Sequence, residues 1–270
     1  MPNITIPAHL YQSFDINPSL DVPAEGYGGW KTETVEFSLE RTALVSMHAW
    51  AHGEPADYPG LYRVEEYLPR AEQIARDVFP PLLAAARGAG MTVFHVVDGG
   101  DYYQHLPGYK TTVELAGDAP EKPKGAAKDE QLSAIRQMKA NKFYPGEHNM
   151  EDIRRAREVR DFPEGARPLP DESIAENGYQ LNALCREQNI THLIYIGFAI
   201  NCCLLMSPGG MMEMSGLAYF CSTVRDATTA VEKRESARGE LLKEGGLWRV
   251  SIEFGLVLDS ALLISALKEL

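Results

Sequence analysis

The hydrophobic positions of this chain alternate between short, unbroken apolar runs and longer segments with helical spacing. Three apolar runs have the length of fully buried strands: 42–47, 91–97 and 192–197. Helical spacing predicts helices at about 70–87 and at 177–190, and Pro80 and Pro81 should kink or restart the first of these. Strand and helix therefore follow each other in turn through the middle of the chain.

The C-terminal part continues this alternation. It predicts a strand at 216–224 after a helical segment, a last strand at 248–258, and a terminal helix capped by Asp259 or Ser260. Strands that alternate with helices imply right-handed crossovers and a mostly parallel sheet. We therefore predict an α/β fold of three layers, α/β/α, with a substrate site at the carboxyl ends of the strands.

Three segments fall outside the alternation. Residues 1–35 form a polar, Pro-rich N-terminal arm, and 36–270 form a single domain. Residues 98–130 are predicted to be a loop. Residues 145–175 are charged and Pro-rich, and they are either a solvated surface insertion or a lid or subunit contact beside the site.

Composition narrows the classes of protein. At 270 residues and 44% hydrophobic, the chain can bury a full core. Its net charge of −12 argues against nucleic acid and against anionic membrane surfaces as partners. The four cysteines show no CxxC or disulfide-framework spacing, and no secretory signal or membrane-spanning run is present. These features predict a cytoplasmic protein that binds a small molecule.

The segment 192–203, HLIYIGFAINCC, carries the most chemical information. A buried strand ends at a glycine, and a short turn then delivers Cys202 and Cys203 where a helix can begin. Backbone N–H groups and a helix end there favour a thiolate, but free cysteines are also common as small buried hydrophobes. Ser207 and Pro208 either start a new helix or kink a short first turn.

These features together resemble the isochorismatase-like cysteine hydrolase superfamily, which includes nicotinamidases, N-carbamoylsarcosine amidohydrolases and ureidoacrylate or biuret-type amidohydrolases. The resemblance covers roughly residues 40–235 and rests on four local motifs: RTALVSMHAW, LLAAARGAGMTVFHV, NKFYPG, and IGFAINCC followed by GLAYFCSTVRDATTA. The last motif is the most specific, since Cys203 follows Gly197 by six residues, which is the spacing of that superfamily.

The resemblance implies a site and a reaction. Cys203 would be the nucleophile and Lys142 the lysine of the triad, with Lys139 as the alternative lysine. The peptide between Phe198 and Ala199 would be a non-proline cis bond, with the N–H groups of Ala199 and Cys203 as oxyanion donors. The reaction would be hydrolysis of a small amide, imide or carbamoyl compound through a thioester.

One position departs from the superfamily pattern, because His48 stands where the triad aspartate is expected. A histidine can move protons at neutral pH, so His48 would serve in place of the carboxylate. It can equally mark a lost triad, and the chain would then be a non-catalytic binding or scaffold protein. A vinyl-ether hydrolase of the isochorismatase type, which need not use the cysteine, is a third possibility.

The remaining expectations concern ligands and assembly. The predicted substrate-binding residues are Asp98, Tyr102, Tyr103, His105, Phe143 and Tyr144. Candidate metal ligands are His95, Asp98, Asp101 and His105, but they form no Asp-x-His motif, and the spacing of His48 and His52 at a strand end does not put them on one face. We predict no metal and no organic cofactor, and the resemblance implies a homodimer or homotetramer.

Overall fold

The computed structural model describes residues 2–121 and 124–270. Met1 of the predicted arm and residues 122–123 of the predicted 98–130 loop lie outside the described residues. The described chain forms one eight-stranded sheet in the order β2-β1-β8-β7-β6-β3-β4-β5. Its strands are β1 (Asn3–Gln12), β2 (Gly29–Ser38), β3 (Thr42–Met47), β4 (Thr92–Val96), β5 (Ser173–Ala175), β6 (His192–Gly197), β7 (Phe220–Thr228) and β8 (Val257–Leu258). All neighbouring pairs from β8 to β5 are parallel, whereas β1 pairs antiparallel with both β2 and β8.

Helices cover both faces of this sheet. They are α1 (Pro59–Val64), α2 (Leu68–Asp77), α3 (Phe79–Gly88), α4 (Pro107–Ala116), α5 (Glu130–Lys142), α6 (Met150–Glu158), α7 (Gly178–Glu187), α8 (Met211–Gly216), α9 (Leu241–Glu253) and α10 (Ser260–Lys268). Successive residues of β3 enter different cores: Leu44 packs with α2, α3 and α10, and Val45 packs with α7, α8 and α9. This confirms the predicted three-layer α/β/α class. No helix among the described residues is long and apolar enough to cross a membrane.

The segment predicted as an N-terminal arm contains strand β1 and most of strand β2, and together they extend the sheet. Residues alternate along β1 between solvent and core, so that Ile4, Ile6 and Ala8 are buried. Thr5 and Pro7 stand between these buried positions, so the segment has the alternation of a half-buried strand but no unbroken apolar run, and the prediction of a polar arm missed this strand. Its pairing with β8 joins it to the domain core.

Three other predictions fail locally. The predicted strand at 248–258 is mostly α9, whose buried Leu247 and Val250 are three residues apart, and only Val257–Leu258 is strand. The predicted strand at 216–224 begins four residues later, after a turn in which Ala218 has φ +69°. The predicted 98–130 loop contains α4. In short segments of mixed polarity, the spacing of apolar residues does not distinguish the 3.6-residue period of a helix from the two-residue period of a strand. The strands predicted at 42–47 and 192–197, which are unbroken apolar runs, are confirmed.

The charged segment 145–175 is also structured. It contains α6, which buries Ala156, and it ends in β5, an edge strand in which Ile174 and Ala175 are buried. Between them, Ala51 and Asp161 form an isolated bridge with paired backbone hydrogen bonds. The segment is thereby held across the carboxyl end of the sheet, next to the residues that follow β3 and β4.

Candidate active site

The carboxyl end of β6 is built around a glycine. Gly197 has φ +129°, and a Cβ atom at this position would lie 1.8 Å from the carbonyl oxygen of Met47, the last residue of β3. Only a glycine allows these two strand ends to approach so closely. The Phe198–Ala199 peptide that follows is cis, as the resemblance implies. The chain then enters a helical turn at Ile200–Leu204.

This turn carries both cysteines. Its backbone is wound more widely than an α-helix, because the N–H of Leu204 donates to the carbonyl of Ala199 at 3.1 Å. Cys202 and Cys203 are both half-buried. The next helix, α8, begins after Gly210 and not at Ser207, so the structure has a short first turn at the cysteines followed by a separate helix. No long helix therefore starts at Cys203.

The electrostatic surroundings of Cys203 oppose ionisation. Burial raises the pKa of its thiol most strongly, and the carboxylates of Asp98 and Glu65 raise it further. Interactions with the side chain of Ser207 and the backbone of Ala199 lower its pKa, but they do not outweigh the burial. Cys203 is therefore a neutral thiol at neutral pH, and it needs a proton acceptor before it can act as a nucleophile.

His48 directly follows β3 and is buried. It has φ +51°, a left-handed conformation that is uncommon for any residue but glycine. Its ring stacks on Trp50 with centroids 4.7 Å apart, and burial is the main cause that lowers its pKa to about 4. Within the described part of the chain its Nδ1 has no hydrogen-bond partner, and no hydrogen bond joins it to Cys203. At neutral pH it is an uncharged ring at the edge of the site.

A cavity of about 310 Å³ opens beside these residues. It lies between α6 and the segments that follow β3 and β4, and its polar lining comprises Trp50, His52, Glu65, Tyr67, Asp98, Arg157 and Arg160. The raised pKa of Tyr67 has burial as its main cause, with smaller contributions from Glu65 and Cys203. Glu65, Tyr67 and Asp98 thus line the cavity and interact electrostatically with the thiol of Cys203, which is not itself among the lining residues.

The sequence analysis missed two members of this group, Tyr67 and Glu65. Glu65 directly follows α1, it accepts a hydrogen bond from the hydroxyl of Tyr144 at 3.1 Å, and its pKa is raised mainly by burial. A carboxylate whose pKa is raised is a stronger proton acceptor than an ordinary carboxylate. No local motif surrounds Glu65, so only the tertiary fold reveals that it lies near Cys203.

The predicted lysine is not part of this group. Lys142 is the last residue of α5, a helix that buries none of its residues, and its side chain is exposed. It forms no ion pair or side-chain hydrogen bond with any residue in the described ranges, and it is absent from the charges that shift the pKa of Cys203. Lys139 is exposed on the same helix. The charged groups that act on the thiol are instead negative.

The predicted substrate-binding residues divide into two sets. Asp98 lines the cavity, Tyr102 accepts a hydrogen bond from the Trp50 indole at 2.9 Å, and Tyr144 bonds Glu65. The other three lie away from the cavity lining: Tyr103 donates a hydrogen bond to Glu176, His105 is exposed, and Phe143 is 75% exposed. Within the first set, Asp98 and Tyr102 follow the end of β4, whereas Tyr144 follows α5.

The metal-ligand candidates do not converge. His95 is buried, and its Nε2 lies 2.9 Å from Glu172, which Arg87 also binds. This arrangement joins β4 to the segment before β5. Among residues 2–121 and 124–270, no three His, Cys, Asp or Glu side chains are grouped so as to hold a metal ion.

Several solved structures resemble this chain. A cysteine hydrolase from Pseudomonas syringae pv. phaseolicola matches at 17% identity and a TM-score of 0.47, covering 86% of this chain and 95% of its own. An isochorismatase-like hydrolase from Alkaliphilus metalliredigens matches at 15% identity and a TM-score of 0.45, and the match covers 85% of this chain and 99% of that protein. An N-carbamoylsarcosine amidase from Thermoplasma acidophilum matches at 14% identity and a TM-score of 0.43, and the match covers 82% of this chain and 96% of that protein. No family model matches the chain, and no curated protein matches it.

Proposed function

We propose that the protein is a cysteine-dependent hydrolase of a small amide, imide or carbamoyl compound, with Cys203 as its nucleophile. The observation that carries this proposal is the setting of the thiol. It is half-buried in the helical turn Ile200–Leu204, which directly follows the parallel strand β6 and the cis peptide. Asp98 and Glu65, which act on the thiol, also line the cavity.

In the proposed first half-reaction, the neutral thiol gives its proton to the Glu65 carboxylate while the sulfur attacks the carbonyl carbon. The new C–S bond turns the carbonyl oxygen into an oxyanion, and its proposed donor is the backbone N–H of Ala199, the residue directly before the turn that carries Cys203. Glu65 then returns the proton to the nitrogen as the C–N bond breaks. Ammonia or an amine leaves, and a thioester remains.

In the second half-reaction, water attacks the thioester and gives a proton to Glu65. The tetrahedral intermediate collapses, the C–S bond breaks, and the proton on Glu65 returns to the sulfur as the acid is released. Glu65 suits this double role because burial raises the pKa of its carboxyl and Tyr144 fixes it by a hydrogen bond. Lys142 and His48 have no part in this scheme.

Trapping of the thiol tests this proposal, with Cys202 as the internal control. Iodoacetamide, a small planar amide, should alkylate Cys203, and the rate should rise with pH through and beyond the ordinary thiol range because the pKa of Cys203 is raised. In a panel of small amides assayed by ammonia release, Cys203→Ala should be inactive and Cys202→Ala should keep most of the activity. Turnover that survives in Cys203→Ala would contradict the proposal and favour a vinyl-ether hydrolase.

A binding protein without catalysis is the second candidate, and one specific observation favours it. The charges that act on Cys203 are carboxylates, which oppose the thiolate, and no lysine or arginine is among the groups that shift its pKa. Such a protein would bind its ligand in the cavity and would release no ammonia from any amide in the panel. The ammonia assay therefore separates the two candidates.

The assembly and the location of the protein remain predictions. We infer a homodimer or homotetramer in the cytoplasm from the superfamily resemblance and from the composition of the chain. Sedimentation of the purified protein would measure its oligomeric state directly.

A further inference from the structure

The arginines of the α6 segment fall into two kinds. Arg154 pairs with Glu151 at 2.6 Å and also with Glu158, and Arg155 pairs with Asp152 at 3.2 Å, all within the helix. Arg157 and Arg160 behave differently. In the part of the chain that the structure describes, no carboxylate lies within ion-pair distance of either, and both line the 310 Å³ cavity. Unlike the guanidinium groups of Arg154 and Arg155, neither is therefore neutralised by a carboxylate of the described residues.

The position of Arg160 is fixed by its surroundings. Its guanidinium lies 3.9 Å from the centre of the Trp50 ring, and its Nη1 donates to the carbonyl oxygens of Asp98 at 3.2 Å and Gly99 at 2.9 Å. Gly99 has φ +69°, and a Cβ atom there would lie 2.3 Å from this Nη1. The glycine therefore leaves room for the guanidinium, which is held before any ligand arrives.

Polar atoms around the guanidinium have no partner. The Nε of Arg160 and the Nδ1 atoms of His48 and His52 are buried and make no hydrogen bond with the residues that the structure describes. An unpaired buried donor is costly unless something else satisfies it. Arg160 and Arg157 also contribute to the lowered pKa of His52, after burial, which shows that positive charge is concentrated on this side of the cavity.

We propose that Arg157 and Arg160 form a carboxylate-binding subsite, so that the substrate is a small amide which also carries a carboxylate group. That the bound molecule is a substrate rests on the proposed hydrolase function, whereas the binding of a carboxylate does not. A planar guanidinium with free donors fits a carboxylate. A phosphate dianion fits less well, because Glu65 and Asp98 line the same cavity and would repel its second charge. The volume lies at the small end of ligand cavities, which suits a compact molecule.

The test is calorimetric binding to Cys203→Ala protein, which cannot form the proposed thioester. The probes are succinamate, which has one carboxylate and one amide, and succinamide, in which a second amide replaces the carboxylate. Succinamate should bind and succinamide should bind at least about tenfold more weakly, because the charged bidentate contact is lost. Adding Arg160→Gln should weaken succinamate binding by a similar factor. Arg154→Gln, on the same helix with its pairing inside the helix, is the matched control and should leave binding unchanged.

Each outcome decides the inference. Equal binding of the two probes, unchanged binding in Arg160→Gln, or an equal loss in Arg154→Gln would each overturn it, as would the failure of both succinamate and acetate to bind at millimolar concentration. If Arg160→Gln does not fold, Arg157→Gln replaces it, with thermal unfolding as the check. Arg160-dependent binding together with an unreactive Cys203 would refute the hydrolase and keep the subsite. Hydrolysis without such binding would do the reverse.

Discussion

Two histidines at opposite ends of the same sheet show how differently its two edges are built. His192 begins β6 and lies beside Thr42 in the register of β3, whereas His48 follows Met47 at the other end of β3. Both rings are buried, and burial is the main cause that lowers the pKa of each to about 4. The two residues are therefore alike in their burial and in the lowering of their pKa values.

Their hydrogen bonds distinguish them. The Nε2 of His192 lies 2.8 Å from the Ser222 hydroxyl, its Nδ1 lies 3.4 Å from the Thr42 hydroxyl, and its ring packs edge-on against Phe37. The Nδ1 of His48 has no partner among the described residues. The buried polar atoms of His192 at the amino edge of the sheet therefore have hydrogen-bond partners, whereas His48 at the carboxyl edge has a buried nitrogen that a ligand could bond. Substitutions at the two edges should separate stability from function.

The largest effect is expected at the carboxyl edge, from Glu65→Gln. The glutamine keeps the shape and can still accept the Tyr144 hydrogen bond, but it cannot take a proton from Cys203. We expect kcat to fall by about 10²–10⁴-fold, the usual contribution of a general acid–base, with little change in thermal unfolding. Ammonia release from a substrate found in the amide panel measures the rate. Glu151→Gln, which removes the same charge from an exposed pair with Arg154, is the control and should be as active as the wild type.

The pH dependence of stability joins the two edges. The folded chain holds His48 and His192 with pKa values of about 4 and His52 with a pKa of about 3, whereas in the unfolded chain each has the ordinary value of 6.5. The unfolded chain therefore binds protons first as the pH falls. The free energy of unfolding should have its full value above pH 6.5 and should fall between about pH 6.5 and pH 4. Protonation of His48 alone should account for about 3 kcal/mol of this loss.

Urea unfolding across this pH range measures the effect. A free energy of unfolding that stays constant down to about pH 4 would show that these rings are not held neutral in the folded protein. Replacing one of these histidines should reduce by one the number of protons that the chain takes up on unfolding, so the free energy of unfolding should change less steeply with pH.

The comparison also explains what the sequence can and cannot predict. The strands at 42–47 and 192–197 are unbroken apolar runs, and the position of Cys203 after Gly197 follows from the chain itself, so the parallel sheet and the thiol at its edge were predictable. Glu65, Arg157 and Arg160 come from the end of α1 and from the α6 segment. They meet the thiol region only through tertiary packing, and no spacing in the sequence connects them.

The position of Lys142 illustrates the same limit. The prediction depends on the aromatic residues that follow Lys142, but Phe143 is 75% exposed and α5 has no buried residue. A local motif shows which residues are neighbours in sequence, but not which face of a weakly packed helix turns toward a site. His48 was correctly predicted at a strand end, whereas its neutral, stacked state depends on Trp50 and on burial.

At the amino edge, His192→Asn should reduce stability without altering the site. The substitution removes the packing against Phe37 and the bond to Ser222, and we expect a loss of about 2 kcal/mol in the free energy of unfolding. Activity per folded molecule should stay the same. Thermal or urea unfolding together with the ammonia assay checks both points, and a selective loss of activity would mean that the two edges are coupled.

The smallest effect on stability is expected for His48→Asn. Asparagine tolerates the left-handed conformation at φ +51°, and no hydrogen bond to His48 is lost within the described ranges, so the free energy of unfolding should fall by about 1 kcal/mol or less. His48→Val is the contrasting variant, because a β-branched residue is strained at this φ and should be clearly less stable. Urea unfolding of both variants beside His192→Asn gives the ranking. A loss in His48→Asn as large as in His192→Asn would mean that the His48 ring is core packing, and the carboxyl edge would then be no more open than the amino edge.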